Sequence, residues 1–410
     1  MRILFLTQVL PYPVDAGPKT RAYYTLRQLA GRHDVTLLSF VRKDDTASAV
    51  DHLRTLCESV HTVPIRRAAL RDASHWLASL PSATPFLIAR DRDARMARAV
   101  RELMRGSRPF DAIHADQLWM APYATAGSEA AAAIAARRPA LVLDQHNAVF
   151  QIPLRVASHE RNRLKRVALR IEAHKLAAYE ARVCSRFDRV TWVSDADRRA
   201  LYARARNSER EALGQGSVIP ICLPLNERPL LERRPNPRRV TFLGGLHWPP
   251  NAEGLVWFAR EIWPRVHRQV PNAVLTVIGK TAPSMIPGLA PAAGVELTGY
   301  VADPIPYLEE TAAVIAPLLS GGGMRVKILD ALAWGLPIVS TRLGAEGIQI
   351  QGGRQALLAD TPEAFAAAVV SLLHDQCLQQ KLASEGRRLV EAQYDCGKVY
   401  QAWDHLYASL

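Results

Sequence analysis

The sequence predicts an α/β protein of two doubly wound, Rossmann-like domains with an interdomain cleft. Three observations predict it. Short, β-branched, almost wholly apolar strand signals fall into two series, longer helical patterns separate them, and a proline-rich stretch divides the series. Strands apolar on both faces belong in parallel sheets, and strict β–α alternation winds helices over both faces. At 410 residues the chain exceeds one ordinary core, so two domains of roughly 200 residues each are expected.

In the first series, strands are expected at 2–7, 34–41, 61–64, 111–114, 140–144 and 189–193, with helical patterns at 20–31 and 94–105. In the second, strands are expected at 239–243, 274–278, 295–298, 313–317 and 337–340, with helical patterns at 251–269 and 324–334. Pro220, Pro224, Pro229, Pro235 and Pro237 crowd one short stretch, which is linker composition. The expected organisation is therefore a domain over 1–220, a linker over 221–237, a domain over 238–393 and a terminal helical segment over 394–410.

Composition narrows the class. Hydrophobic residues make up 49% and charged residues 22%, a globular balance. No apolar run approaches the about 20 residues of a spanning helix. The first residues, Met1 to Thr7, read as a strand and not as a cleaved signal, and a cytoplasmic protein is expected. Cys57, Cys184, Cys222, Cys377 and Cys396 are odd in number and widely spaced, which predicts reduced thiols and neither a disulfide framework nor a zinc site. No His/Asp/Glu cluster in the sequence suggests a metal centre.

The net charge of +13 is uneven: residues 1–230 hold 36 Lys and Arg against 23 Asp and Glu, and residues 231–410 hold 16 against 16. Nucleic acid, an anionic membrane, an anionic acceptor or simply solvated arginine-rich helix faces each account for that excess. The stretch 155–182 reads as one long basic helical pattern that either lies on an anionic leaflet or is solvated.

Two phosphate motifs are absent. Thr7 is followed by Gln8-Val9-Leu10-Pro11, and Gly244-Gly245 by Leu246-His247-Trp248, so no G-x-G-x-x-G follows either first strand, and no P-loop occurs. This counts against hydride transfer and nucleotide hydrolysis. The most informative segment is Ser320-Gly321-Gly322-Gly323-Met324-Arg325-Val326-Lys327-Ile328-Leu329-Asp330, between a strand and a helix stopped at Gly335. Glycines let the backbone approach a ligand, and the first N–H groups of a helix suit a diphosphate. Arg325 and Lys327 are poorly placed at a helix N-terminus unless an anion binds there. The competing reading is a flexible turn with Lys327 and Asp330 as a surface i,i+3 pair.

This segment, with Phe242-Leu243-Gly244-Gly245, Trp248-Pro249-Pro250-Asn251, Pro271-Asn272-Ala273, Thr298-Gly299-Tyr300-Val301-Ala302-Asp303 and Gly344-Ala345-Glu346-Gly347, resembles the donor-binding core of the retaining glycosyltransferases of family 4, which have the GT-B fold. The resemblance runs over most of the chain and is strongest in the second half. It implies a cytoplasmic glycosyltransferase that takes a nucleoside-diphosphate sugar (UDP or GDP) as donor and a saccharide or lipid-linked saccharide as acceptor. Such an enzyme would serve exopolysaccharide or glycoconjugate synthesis. No cofactor, metal or nucleic-acid partner is expected, and the basic stretch leaves peripheral contact with an anionic membrane open.

By the same resemblance the first domain holds the acceptor and the second the donor, and the terminal helix returns to the first domain. The base lies against Tyr300 and Val301. The diphosphate lies on Ser320, Gly321, Gly322, Gly323, Met324 and Arg325, with Gly245 nearby, and Asp330 holds the ribose. Gly17 stands in a loop that closes over the phosphates, and Lys19 reaches a phosphate. His146 lies beside the reacting sugar and, with Arg325 and Lys327, forms the catalytic set. His114, Asp116 and Asp144 hold acceptor hydroxyls.

Two departures stand out. The family's acidic pair is Glu-x7-Glu, whereas Gly322 and Asp330 occupy those positions here. The family's Arg and Lys after the first strand of the donor domain are missing, and Arg325 and Lys327 are expected to supply that charge. The rivals are a nucleotide-sugar epimerase of the same fold and a basic nucleic-acid-binding protein.

Overall fold

The computed structural model describes residues 1–65, 79, 82–134, 138–234, 237–279 and 294–410. Residues 235–236 of the expected linker lie outside them. The chain divides into two compact units: Met1–Ile221 with Tyr400–Leu410, and Cys222–Val399.

Unit 1 is built on a parallel sheet of β1 (Arg2–Thr7), β2 (Asp34–Val41), β3 (Ser59–Pro64), β4 (Ala112–Asp116), β5 (Ala140–Gln145), β6 (Arg189–Trp192) and β7 (Ser217–Val218), in the order β3-β2-β1-β4-β5-β6-β7. β1, β4 and β5 are buried almost throughout, which explains their apolar runs. Strand order reverses between β1 and β4, and ligands of doubly wound sheets bind beyond the carboxyl ends of strands at such a point. In register, Thr7 faces Asp116 and Asp116 faces Asp144, so one row of polar groups closes the end of the sheet.

Unit 2 repeats the plan. β8 (Arg239–Leu243), β9 (Val274–Ile278), β10 (Val295–Gly299), β11 (Thr311–Ala316), β12 (Ile338–Ser340) and β13 (Leu357–Leu358) lie in the order β10-β9-β8-β11-β12-β13, all parallel. The reversal falls between β8 and β11, so the Gly244-Gly245 turn and the 317–325 loop meet at the equivalent place. Each unit has its own apolar core, one around Leu4, Ile113 and Leu143 and the other around Phe242, Leu275 and Ile315.

Several expected elements are broken in instructive ways. The 155–182 pattern is two helices, Gln151–His159 and Arg163–Cys184. Asn162 accepts from Lys165 N at 3.1 Å and Glu160 from Asn162 N at 2.9 Å, and these local side-chain bonds replace helical ones. The 251–269 pattern runs as Pro249–Trp257, a π-helical turn at Phe258–Ile262 and Trp263–Gln269, because Pro264 has no N–H to donate back. Gly17 is the first residue of the helix Gly17–Ala30 and not part of a loop. The helix Val326–Ala333 ends at Gly335, whose φ of +72° is the left-handed stop. The 222–234 stretch runs along unit 2, with Leu231 N on Trp334 O at 3.2 Å and Arg234 N on Glu309 O at 2.9 Å. The 394–410 segment divides: Cys396–Val399 lies in unit 2, and Gln401–Ala408 packs Trp403 and Tyr407 into unit 1.

Candidate functional site

In unit 2 the glycine loop and the β8 turn form one constellation. Gly321 has φ +107°, and a Cβ there would come within 3.1 Å of Arg325 Nη2 and 3.2 Å of the Trp248 ring. Only glycine allows that approach. Arg325, 5% exposed, is the N-cap residue of Val326–Ala333. Its guanidinium turns back onto the carbonyls of Gly322 and Gly323 and lies 5.7 Å from the Trp248 ring. No side chain caps this helix. Met324 is buried, and Ser320 Oγ donates to Glu253 Oε2 at 2.7 Å.

Lys327 overturns the surface-pair reading. It is partly buried, and its Nζ donates to Asn251 Oδ1 at 2.7 Å and stands 4.3 Å from the Phe242 ring centroid. Asn251 Nδ2 donates in turn to Gly245 O at 3.0 Å. Burial, helped by the charge of Arg325, lowers the Lys327 pKa to about 7. Asp330 pairs with Arg228 at 3.2 Å and not with Lys327. Burial raises its pKa, against the pull of Arg228. Arg228 thus shares the carboxylate expected to hold ribose. Tyr300 is 63% exposed beside Val301, just after β10.

In unit 1 the polar row at the strand ends is tightly organised. His146 Nε2 lies 2.9 Å from Asp116 Oδ1 and 3.8 Å from Asp144 Oδ2. Asp144 is gripped by Arg21: Nε to Oδ2 at 2.9 Å, Nη2 to Oδ1 at 3.0 Å, with Thr191 Oγ1 donating to Oδ1 at 2.9 Å. Burial alone would raise the Asp144 pKa, but Arg21 and His146 outweigh it and hold it at about 2. Burial pushes the Asp116 carboxyl up, opposed by His146. Asp116 Oδ2 and His146 Nδ1 have no partner among the described residues. Gln117 follows Asp116 with φ +74° and ψ 160°, a backbone state that costs about 1–3 kcal/mol in a residue with a Cβ. Its buried Nε2 is also without a partner among the described residues. Buried orphan polar atoms beside a strained backbone mark a place prepared for a ligand.

Three expected assignments need correction. His114 is fully buried, stacked on Phe5 at 4.3 Å, with Nδ1 on Tyr407 Oη at 2.9 Å. Burial drops its pKa to about 3, so it is neutral and packed against aromatic rings, with its buried Nε2 unpartnered among the described residues. Asp144 likewise has both oxygens engaged. Lys19 lies 3.1 Å from Asp15 and 3.9 Å from Asp45, so its charge is already answered by carboxylates.

The sequence suggested no metal cluster, yet His114, Asp116 and Asp144 bring one ligand atom each within 4.8 Å of one another. One member of that group, Asp144, is already paired with the buried Arg21 guanidinium.

Sequence reasoning also missed residues that act from a distance. Glu180, on Arg163–Cys184, accepts from Gln145 Nε2 at 3.0 Å, Val149 N at 3.2 Å and Phe150 N at 3.4 Å, and so pins the loop that carries His146. Arg21 and Arg228 were equally silent, and Asn251, though it stood in a segment of the resemblance, was given no role, because each is defined by a tertiary partner.

Comparison with known proteins fits this geometry. Residues 237–375 match the family model for Glycosyl transferases group 1. An uncharacterised 44.6 kDa protein of the cps region of Klebsiella pneumoniae is 28% identical over 172 residues, covering 40% of this chain and 44% of that protein, so the match spans under half of the relative. HepE of Anabaena, in complex with UDP and glucose, superposes with a TM-score of 0.70 over 100% of both chains at 14% identity. Sucrose-phosphate synthase of Thermosynechococcus elongatus gives 0.66 over 100% of both at 15%. WaaG, a glycosyltransferase involved in lipopolysaccharide biosynthesis, gives 0.63 over 98% of both at 13%. The chain thus has the GT-B fold of two Rossmann-like domains, and residues 237–375 of its second unit are similar to glycosyl transferases group 1.

Proposed function

We propose that the protein is a retaining, metal-independent glycosyltransferase that moves a sugar from a nucleoside-diphosphate sugar to a saccharide or lipid-linked saccharide acceptor. The observation that carries this reading is Lys327: a lysine at the glycine loop that no described carboxylate answers, beside the Arg325 guanidinium. Such a cluster calls for an anion, and the family match in that unit makes a nucleoside diphosphate the natural one. HepE's complexes with UDP and UDP-glucose favour uridine as the base, and the cps-region relative favours capsule or exopolysaccharide synthesis.

In the proposed reaction the bond from the anomeric carbon to the phosphate oxygen breaks. The acceptor oxygen bonds to that carbon on the same face, and the acceptor proton passes to a phosphate oxygen. Arg325 and Lys327 stabilise the charge that develops on the leaving diphosphate, the work a divalent metal would otherwise do. Asp330 with Arg228 holds the ribose, and Tyr300 with Val301 meets the base. In unit 1, Asp116 fixes the His146 ring, which orients acceptor or sugar hydroxyls.

Membrane contact belongs to the same proposal. Leu164, Val167 and Ile171, 83%, 54% and 50% exposed, lie on Arg163–Cys184 among Arg163, Lys165, Arg166 and Arg170. That combination suits an anionic leaflet carrying a lipid-linked acceptor.

The test is calorimetric titration with UDP, GDP, ADP, TDP and CDP without divalent metal, followed by turnover with the sugar donors of whichever base binds. Micromolar binding of one base is expected. Failure of all five to bind would overturn the donor assignment.

A further inference from the structure

We infer that Asn251 is the positioning residue of the anion site: its side-chain oxygen holds the Lys327 ammonium at the end of β8, while its amide ties the same point to the Gly245 carbonyl. This deepens the donor reading above and rests on it for the identity of the anion. Three contacts carry it. Lys327 Nζ to Asn251 Oδ1 is 2.7 Å, Asn251 Nδ2 to Gly245 O is 3.0 Å, and Asn251 N to Trp248 O is 3.0 Å. Asn251 is 6% exposed and therefore fixed by its surroundings. A Cβ at Gly244 would fall 2.7 Å from Asn251 Nδ2 and 3.1 Å from Lys327 Nζ, so the strand end has no room for any larger residue beside this pair.

The choice of an amide is chemically specific. An aspartate at this place would neutralise the ammonium and compete with an incoming phosphate. An apolar residue would leave both the ammonium and the Gly245 carbonyl without a partner. The amide gives Lys327 one neutral acceptor and leaves its charge for a ligand. The groups around Lys327 agree. From β8 it meets the Phe242 ring and from Pro249–Trp257 the neutral Asn251, while on its own helix Asp330 is turned to Arg228 and Arg325 lies at the N-cap. Glu253, further along Pro249–Trp257, is held by Ser320. Burial and Arg325 already lower the Lys327 pKa to about 7, so the protonation of this lysine is poised to respond to its one acceptor.

The experiment is side-chain NMR of the full chain with isotope-labelled lysine. The sequence has only eight lysines, and Lys327→Arg identifies the Lys327 signal by its loss. The Lys327 titration is expected to centre near pH 7 in the unaltered protein. Loss of a charge-assisted bond in Asn251→Leu lowers that midpoint by about one pH unit, and the carboxylate of the near-isosteric Asn251→Asp raises it by about as much or more.

The same samples titrated with UDP at pH 7.5 add a second readout: about tenfold weaker binding in both variants, by lost protonation in one and by neutralised charge in the other. Midpoints that stay in place in both variants, with native chemical-shift dispersion retained, would overturn the inference even if UDP binds. Midpoints that move in opposite directions support the coupling. If no nucleoside diphosphate then binds the unaltered protein, the donor reading fails and the coupling stands.

Discussion

Replacing Asp144 with asparagine separates charge from shape at the centre of unit 1. Arg21 and Asp144 side chains are both 0% exposed and joined by two hydrogen bonds, at 2.9 and 3.0 Å. The asparagine of Asp144→Asn would fill the same space but leave the guanidinium with only neutral acceptors, among them Pro220 O at 2.8 Å and Tyr400 Oη at 3.3 Å. Removing one member of a buried ion pair costs about 3–5 kcal/mol, because the remaining charge has no counterpart and no water. For a unit of this size each kcal/mol moves the melting temperature by about 2–4 °C, so the expected drop is roughly 6–20 °C. The assay is thermal unfolding followed by circular dichroism for Asp144→Asn, Arg21→Met and the double variant Arg21→Met/Asp144→Leu. The apolar double variant should recover most of the loss, since it strands no charge. A drop below about 2 °C in Asp144→Asn, or a double variant whose loss equals the sum of the singles, would refute the reasoning. The low Asp144 pKa adds a sign. Its contribution is complete above the ordinary value of 3.8 and is lost as pH falls towards 2, a limb that Asp144→Asn should lack.

Other outcomes follow from the same geometry. Arg325→Ala or Lys327→Ala should cut turnover by about a hundredfold or more with folding intact, measured by product formation; near-normal rates in both would remove the phosphate assignment. Lys327 has a pKa of about 7 in the fold against 10.5 unfolded, so ligand-free stability should rise with pH between those values. Lys327→Met should stabilise the ligand-free protein most below pH 7 and scarcely above 10.5, as denaturant midpoints across pH will show. Glu180→Ala strands three donors of the 145–150 loop and should cost about 3 kcal/mol in urea unfolding. His114→Phe, which keeps the stack on Phe5 and loses the Tyr407 hydrogen bond, should keep transfer within about threefold, whereas His146→Ala should lower it by more than about tenfold.

Much of the fold is legible in the sequence because buried parallel strands announce themselves. β1, β2, β8 and β9 are rich in apolar residues and buried through their interiors, and their limits coincide with the sequence pattern. The two-residue strands β7 and β13 are not legible, since a pair of residues carries no period. Helix breaks depend on competition between local bonds, which is why Asn162 and Pro264 divide patterns that read as continuous. The glycine loop is legible because three glycines before a basic helix have few other uses. Lys19 and His114 misled because the sequence shows a charge or a ring but not the carboxylates or the aromatic cage around it. Arg21 was invisible, and Asn251 stood in a quoted motif without a role, for the converse reason: their importance lies in what the chain brings to them from 123 and 76 residues away.

The return of Tyr400–Leu410 to unit 1 has a consequence in time. Tyr400, Trp403 and Tyr407 wall the Arg21–Asp144 pair and His114, yet they are made only after the whole of Cys222–Val399. At roughly 5–20 residues per second, the first unit waits about ten to forty seconds on the ribosome with its aromatic wall missing. During that interval the Arg21–Asp144 pair and His114 lack the three aromatic side chains that wall them in the finished fold. The second unit, continuous in sequence, has no such wait. The first-made unit is therefore the last to be completed, and a chain cut short by even eleven residues would leave unfinished the half that was synthesised first.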